Sequence, residues 1–240
     1  MNWFSDWFNS SYYHILYKER DKIEAQNFIN NLVAHLQIKK GSRLIDIACG
    51  KGRHASYFNT LGLEVTGIDL SENSIKKAKK NENEKLHFFT HDMRKTFKSN
   101  SFNVATNLFT SFGYFDDKKD DQKAINAMAK NLKSDGLLII DFMNVKKVIS
   151  NLVSSEEKQV EQITFNITRK YNKGYIIKDI AFVDKNRNYT FQEKVRAITL
   201  SDFSIFIRNA GMKIINIFGS YELDNFNALT SDRLIIICKK

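Results

Sequence analysis

The stretch LIDIACGKGRHA, residues 44–55, constrains the fold of this chain more than any other feature. An apolar run ends in small residues and two glycines, and a helix-like segment follows. This order is typical of a buried strand, a turn at which a ligand can approach the backbone closely, and a helix. Such units build α/β proteins whose parallel strands end at one ligand-binding edge.

The chain continues to alternate between strand and helix patterns as far as residue 143. Strands are predicted at RLIDIA (43–48), EVTGIDL (64–70), KLHFFTHD (85–92), FNVATNLF (102–109) and LLIIDFM (137–143), with helices at 52–61, 72–81 and 120–136. This alternation predicts right-handed βαβ units and a mostly parallel, Rossmann-like sheet covered on both faces. We therefore predict one α/β domain that spans residues 1–240.

Two segments depart from this alternation. Residues 1–20 are rich in aromatic side chains, and we predict that they form an N-terminal lid. Residues 155–198 predict a three-stranded antiparallel insertion, with hairpin-like turns at NKG and KNRN, that forms part of a substrate wall. A helix at SDFSIFIRNAG, capped by Ser201, and strands at MKIINIFG and RLIIICKK complete the chain.

Composition narrows the functional class only slightly. The net charge of +10 could indicate nucleic-acid binding, but the lysines are scattered and the chain has no proline, so we attribute the charge to composition and expect no nucleic-acid partner. No apolar run approaches the roughly 18 residues of a membrane span, and no signal-peptide pattern is present. Two distant cysteines predict neither a disulfide nor a metal site, so we expect a cytoplasmic protein.

Three ligand classes can be weighed for the glycine loop. A P-loop is excluded because G-x-x-x-x-G-K-[ST] does not occur. Residues 50–55 match the dinucleotide pattern G-x-G-x-x-G/A, and Asp69 follows Gly50 by 19 positions, near the spacing for ribose recognition. Against this, Asp46 stands in the strand and the loop is long. The third class is S-adenosylmethionine, which has a ribose diol and no phosphate.

Acids end three successive predicted strands, where they would surround one crevice. Asp69 suits a bidentate contact with two ribose hydroxyls. Asp46 could receive the ammonium side, directly or through water, and Asp92 could accept the exocyclic amine of adenine. Small residues would let the ligand approach, and apolar residues would sandwich the adenine. The predicted cofactor-binding residues are Tyr13, Arg20, Asp46, Ala48, Cys49, Gly50, Gly52, Asp69, Leu70, Asp92, Met93, Asn107 and Phe109.

Taken together, LIDIACGKGRHA, VTGIDLS, FFTHDM and LKSDGLLIIDF resemble the ordered motifs of class I S-adenosylmethionine-dependent methyltransferases. The resemblance implies a seven-stranded sheet with an antiparallel last strand, and S-adenosylhomocysteine as product. The aromatic N-terminus, DIACGKG, FTSFGYF and the insertion are similar to small-molecule N-methyltransferases, namely amino-sugar dimethyltransferases and glycine N-methyltransferase. This similarity implies that Arg20 binds the cofactor carboxylate. The departure at Ala48, where glycine is commonest, is expected to be mild.

The segment NLFTSFGYF, residues 107–115, is expected to lie beside the transferred methyl group. Tyr13, His14 and Tyr114 are the candidate catalytic residues, acting as bases or as orienting groups, and no metal is expected. We predict transfer to nitrogen or oxygen of a small molecule by a monomer or homodimer. An RNA or protein methyltransferase, a cofactor-binding module without catalysis and a nicotinamide-dependent oxidoreductase remain alternatives.

Overall fold

The structure, a computed structural model, describes residues 7–18 and 22–240. The described strands are β1 (Arg43–Ile47), β2 (Glu64–Asp69), β3 (Leu86–Thr90), β4 (Phe102–Asn107), β5 (Leu132–Met143), β6 (Ser155–Val160), β7 (Ile163–Asn172), β8 (Tyr175–Asp184), β9 (Arg187–Arg196), β10 (Lys213–Phe218) and β11 (Arg233–Lys239). The described helices are α1 (Ser11–Leu16), α2 (Lys22–His35), α3 (Arg53–Thr60), α4 (Glu72–Ala78), α5 (Lys118–Asn131), α6 (Val145–Ser150) and α7 (Leu200–Asn209).

Seven strands form the central sheet, in the spatial order β10-β11-β5-β4-β1-β2-β3. The pairs β1–β2, β2–β3, β1–β4 and β4–β5 are parallel, whereas β11 is antiparallel to both β5 and β10. The predicted Rossmann-like sheet with an antiparallel last strand is therefore confirmed. Strand order reverses between β1 and β4, and open α/β sheets bind ligands beyond the carboxyl ends of the strands at such a point.

Helices cover both faces of this sheet. On one face α2, α3 and α4 pack through Phe28, Phe58 and Ile75. On the other face α5 and α7 pack through Ile125 and Phe203. The central strands read as continuous apolar runs in the sequence because both of their faces are buried.

The insertion contains four strands, not the three that we predicted. Strands β6 to β9 form an antiparallel sheet in chain order. The additional strand is β6, which precedes the first of the three predicted strands: the chain reverses after Val160, which pairs with Ile163 of β7. Glu161 makes this turn with φ at 58°. The turn residues Glu161 and Gln162 carry no glycine or asparagine, so local turn chemistry gave no signal.

Two helix boundaries also differ from expectation. The helix predicted for 120–136 ends at Asn131, because β5 begins with the next residue and pairs with β4. The cap of α7 is Thr199 rather than Ser201. Thr199 and Asp202 form a capping box, in which each side chain accepts a hydrogen bond from the other residue's backbone N–H.

The N-terminal segment packs against the insertion sheet. Trp7 and Leu16 are buried in one cluster with Phe165, Ile180 and Phe182 of β7 and β8. This packing places the segment between the insertion sheet and the carboxyl edge of the central sheet. Within residues 7–18 and 22–240, no helix combines the length and apolar character needed to cross a membrane.

Candidate functional site

A cavity of about 500 Å³ opens at the carboxyl edge of the central sheet. Its walls come from the glycine loop after β1, the ends of β2 and β3, the loop after β4, and α1. Its volume lies in the usual range for small-molecule sites. Eleven of the predicted site residues line it: Tyr13, His14, Ala48, Cys49, Gly50, Asp69, Leu70, Asp92, Met93, Phe109 and Tyr114.

Three other predicted residues lie outside this lining and support it from behind. Asp46 and Asn107 are buried, and the Asn107 side chain donates to the backbone oxygen of Ile47 at 3.0 Å, which ties β4 to β1. Gly52 packs against the Phe88 ring. Arg20 lies outside the described residues, so its predicted contact with the cofactor carboxylate stays a prediction.

The glycine loop turns sharply through left-handed backbone. Ala48, Gly50 and Gly52 have φ values of 60°, 56° and 77°. A side chain built on Gly50 would meet no protein atom within 4 Å, so its backbone faces the open cavity. The alanine at position 48 is less mild than expected, because left-handed backbone costs an L-residue roughly 1–2 kcal/mol.

Asp69 ends β2 with its carboxylate fixed by backbone. One oxygen accepts a hydrogen bond from the N–H of Gly50 and the other accepts from the N–H of Ser71, both at 2.8 Å. Burial raises the pKa of Asp69, and these two donors oppose that rise. Each carboxylate oxygen retains acceptor capacity. This buried acid, beside an open glycine backbone, suits a ribose diol.

Asp92, after β3, is paired with a cation that the sequence interpretation missed. Arg94 forms an ion pair with Asp92 at 2.6 Å and a second with Asp120 of α5 at 2.7 Å. Burial raises the pKa of Asp92, but the hydrogen bonds and charge of Arg94 outweigh it and hold this pKa below its usual value. Arg94 also lines the cavity. A basic residue two positions after the acid was the available signal.

Asp46 is fully buried beneath the glycine loop. Its Oδ1 accepts a hydrogen bond from Thr106 at 2.8 Å, and its Oδ2 accepts none of ordinary geometry from the described residues. Burial raises the pKa of Asp46 to about 7, although the Thr106 hydroxyl and the Ala55 backbone lower it. A ligand ammonium near this group would favour the carboxylate, but Asp46 lies behind the cavity lining, so its predicted role toward the ammonium stays a prediction.

Replacing Asp46 with asparagine should flatten the pH dependence of stability. The folded pKa of about 7 lies above the ordinary 3.8, so folding takes up a proton. The stabilisation is present below pH 4 and is lost as pH rises through 7, by about 4 kcal/mol. We expect urea unfolding of the native chain, but not of Asp46→Asn, to show this loss. Glu64→Gln, at an exposed strand position, is the control. If the unfolding free energies of the native chain and of Asp46→Asn changed equally with pH, the raised pKa of Asp46 would be contradicted.

Polar contacts hold the N-terminal segment on the insertion sheet. Glu193 of β9 accepts hydrogen bonds from the Trp7 indole N–H and the Tyr17 hydroxyl, both at 2.7 Å. Lys178 of β8 donates to the Tyr17 hydroxyl at 2.5 Å and lies 3.8 Å from Glu193. Neither Lys178 nor Glu193 lines the cavity, so both act on it through Tyr17, which does.

Aromatic rings form a further part of the cavity wall. Phe8 contacts Tyr13 and Tyr114 with ring centroids 5.0 and 5.3 Å apart. The Tyr114 hydroxyl donates to the backbone oxygen of Thr110 at 2.6 Å, so Tyr114 presents mainly its ring. Tyr13 and His14 line the cavity from α1. Among residues 7–18 and 22–240, no three His, Cys, Asp or Glu side chains converge as metal ligands would.

Comparison with known proteins assigns the family. The family model described as a methyltransferase domain matches residues 38–195. A putative methyltransferase from Geobacillus sp. (strain WCH70) is 23% identical over 226 residues, which cover 90% of this chain and 91% of that protein. A solved S-adenosylmethionine-dependent methyltransferase from Clostridium acetobutylicum superimposes with a TM-score of 0.80 at 16% identity, covering 95% of each chain.

The two narrower resemblances also appear among the relatives. The dTDP-3-amino-3,4,6-trideoxy-alpha-D-glucopyranose N,N-dimethyltransferase of Streptomyces venezuelae is 28% identical over 103 residues, which cover 42% of this chain and 43% of that protein. Glycine N-methyltransferase of Rattus norvegicus is 26% identical, covering 70% and 58%. The nicotinamide and binding-module alternatives are thereby set aside. This chain belongs to the methyltransferase domain family and is an S-adenosylmethionine-dependent methyltransferase.

Proposed function

We propose that this enzyme transfers a methyl group to a nitrogen or oxygen atom of a small molecule. The observation that carries the proposal is that the N-terminal segment forms one wall of the cavity. Phe8, Tyr13 and Tyr17 line it from one side, while the insertion sheet holds that segment in place. We propose residues 1–20 as a lid and residues 155–198 as the wall behind it. A cavity of about 500 Å³ that has this segment as one wall favours small acceptors over large ones.

The amino-sugar relative supports the same acceptor class. Its name describes transfer to the amino group of a nucleotide-linked sugar. The loop after β4 also lacks the two prolines that follow Asn or Asp in methyltransferases acting on nucleic-acid adenine and on protein glutamine, because the chain contains no proline. Both points favour a small acceptor.

The residues of the cavity contribute mainly orientation and exclusion of water. When bound, S-adenosylmethionine supplies a methyl group on a sulfonium, which is already a good leaving group. Fixing the acceptor in line with that methyl can lower the barrier by several kcal/mol, with about 7–11 as the upper range. Tyr13 and His14 are the proposed groups that orient the acceptor or take its proton. Tyr114 contributes its ring to the wall.

Transfer to RNA or protein is the second candidate, and the net charge of +10 favours it. An RNA substrate predicts an affinity for tRNA that falls steeply with salt, because phosphate contacts release counterions. The deciding experiment incubates the enzyme with methyl-labelled S-adenosylmethionine and a fractionated cell extract. Label in the small-molecule fraction would support the proposal. Label only in RNA or protein would overturn it in favour of the second candidate.

Releasing the N-terminal segment should reduce transfer more than cofactor binding. Glu193→Ala removes the acceptor shared by Trp7 and Tyr17, and hydrogen bonds to a charged group contribute about 1.5–3 kcal/mol each. We expect label transfer to the small-molecule fraction to fall at least about tenfold, and calorimetric affinity for S-adenosylhomocysteine, to which Tyr13 of the same segment is predicted to contribute, to fall by a smaller factor. Gln192→Ala, on the same strand, is the control. Unchanged transfer by Glu193→Ala would refute a lid function.

A further inference from the structure

The loop after β4 contains two successive residues in left-handed backbone. Phe109 and Thr110 have φ values of 58° and 59°. One is aromatic and the other β-branched, and such residues rarely adopt this conformation. Strained backbone persists only where its surroundings hold it, and it occurs preferentially at functional sites. Phe109 and Ser111 of this loop line the cavity.

A buried ion pair from two other strands holds both strained residues. One carboxylate oxygen of Asp141, on β5, accepts the N–H of Phe109 at 2.8 Å, and the other accepts from Arg233 Nε at 2.8 Å. The backbone oxygen of Asp141 accepts the N–H of Thr110 at 2.9 Å. Arg233, on β11, donates from Nη2 to the Thr110 hydroxyl at 3.0 Å. Asp141 and Arg233 thus bind the loop through backbone and side chain together.

The restrained loop in turn fixes two walls of the cavity. The Phe109 ring stacks on His54, at the start of α3, with centroids 4.7 Å apart and planes 20° apart. The backbone oxygen of Thr110 accepts the Tyr114 hydroxyl. A shift at positions 109 and 110 would therefore move the rings of Phe109 and Tyr114, both of which line the cavity.

We infer that the Asp141–Arg233 pair positions the part of the cavity wall that Phe109 and Tyr114 form, because it holds Phe109 and Thr110 in their strained conformation. Asp141 and Arg233 are positioning residues, because neither lines the cavity. A buried ion pair is weak evidence for stability alone. The Asp141–Arg233 pair makes three hydrogen bonds to the loop and one between its own two side chains. This distribution indicates that the pair holds the loop in place. The inference depends on the proposed function only in treating the acceptor as a small molecule.

The test removes the hydrogen bond between Arg233 and the Thr110 hydroxyl and leaves the Asp141–Arg233 ion pair in place. Thr110→Val keeps the shape and the strain but loses the hydroxyl, whereas Thr110→Ser keeps the hydroxyl. Thr168→Val, at an exposed position of β7, is the control. We expect faster hydrogen exchange at the Phe109 and Thr110 amides in Thr110→Val, with native exchange in Thr110→Ser. The melting temperature of each variant should stay within a few degrees of native.

Methyl transfer provides the second readout. Label transfer to the small-molecule fraction should fall at least about tenfold in Thr110→Val and recover in Thr110→Ser. Arg233→Lys, which keeps the charge but not the fork of donors, should resemble Thr110→Val. Native amide exchange in Thr110→Val would overturn the inference whatever the acceptor proves to be. If Thr110→Val loses exchange protection but the native enzyme transfers no label to small molecules, the result would count against the small-molecule acceptor alone.

Discussion

Replacing Asp69 with alanine is expected to lower the affinity for S-adenosylhomocysteine about a hundredfold. Two hydroxyls of a ribose diol would lose a charged, buried acceptor, and hydrogen bonds to charged groups contribute about 1.5–3 kcal/mol. The substitution also leaves the N–H groups of Gly50 and Ser71 without their acceptor, so the glycine loop itself is loosened. Isothermal titration calorimetry on the purified protein measures the effect directly.

Two further variants separate the lost acceptor from the loosened loop. Asp69→Asn keeps one oxygen for the backbone but turns its NH₂ group toward the other N–H, so we expect the loop to be retained in part and the affinity to fall less. Glu72→Ala removes an equal charge from an exposed position three residues later and should leave the affinity unchanged. Native affinity in Asp69→Ala would remove the ribose assignment and, with it, the predicted orientation of the cofactor.

The sequence was sufficient to predict the central sheet and the edge at which the cavity lies. Parallel strands end together, so acids at the ends of β2 and β3 had to meet at one edge, and Asp69 and Asp92 both line the cavity there. The turn at Glu161 could not be predicted, because its residues carry no turn signature and the reversal depends on pairing between β6 and β7. The fourth insertion strand was missed for that reason.

Residues that belong to the sequence motifs do not all line the cavity. Asp46, Gly52 and Asn107 belong to the patterns that predicted the site, yet each is packed behind the lining. A one-dimensional spacing cannot distinguish a residue that touches a ligand from one that supports the loop. The distinction depends on which face of the strand or turn the side chain occupies.

Sequence patterns could not predict contacts between distant parts of the chain. Asp141 and Arg233 lie 92 positions apart, and Trp7 and Glu193 lie 186 apart. Each pair joins elements whose relative placement is known only once the sheet order is known.

The two glycines of the loop should differ sharply when each is replaced by alanine. Gly50→Ala places its methyl group where no protein atom lies within 4 Å, and Gly50 lines the cavity. Gly52→Ala places it 2.5 Å from the Phe88 ring, deep in the core. Both positions have positive φ, so both share the strain of a left-handed L-residue, about 1–2 kcal/mol. The difference between them therefore reports on what each glycine faces.

We expect Gly50→Ala to lose only that strain energy in urea unfolding while its affinity for S-adenosylhomocysteine falls at least about tenfold. Gly52→Ala adds overpacking to the strain and should lose about 2–5 kcal/mol of unfolding free energy. Gly174→Ala is the strain control, because Gly174 has φ at 83° and open surroundings in the turn between β7 and β8. If Gly50→Ala bound the ligand like Gly174→Ala, the ligand would not approach the backbone at this loop, and the cofactor would have to lie elsewhere in the cavity.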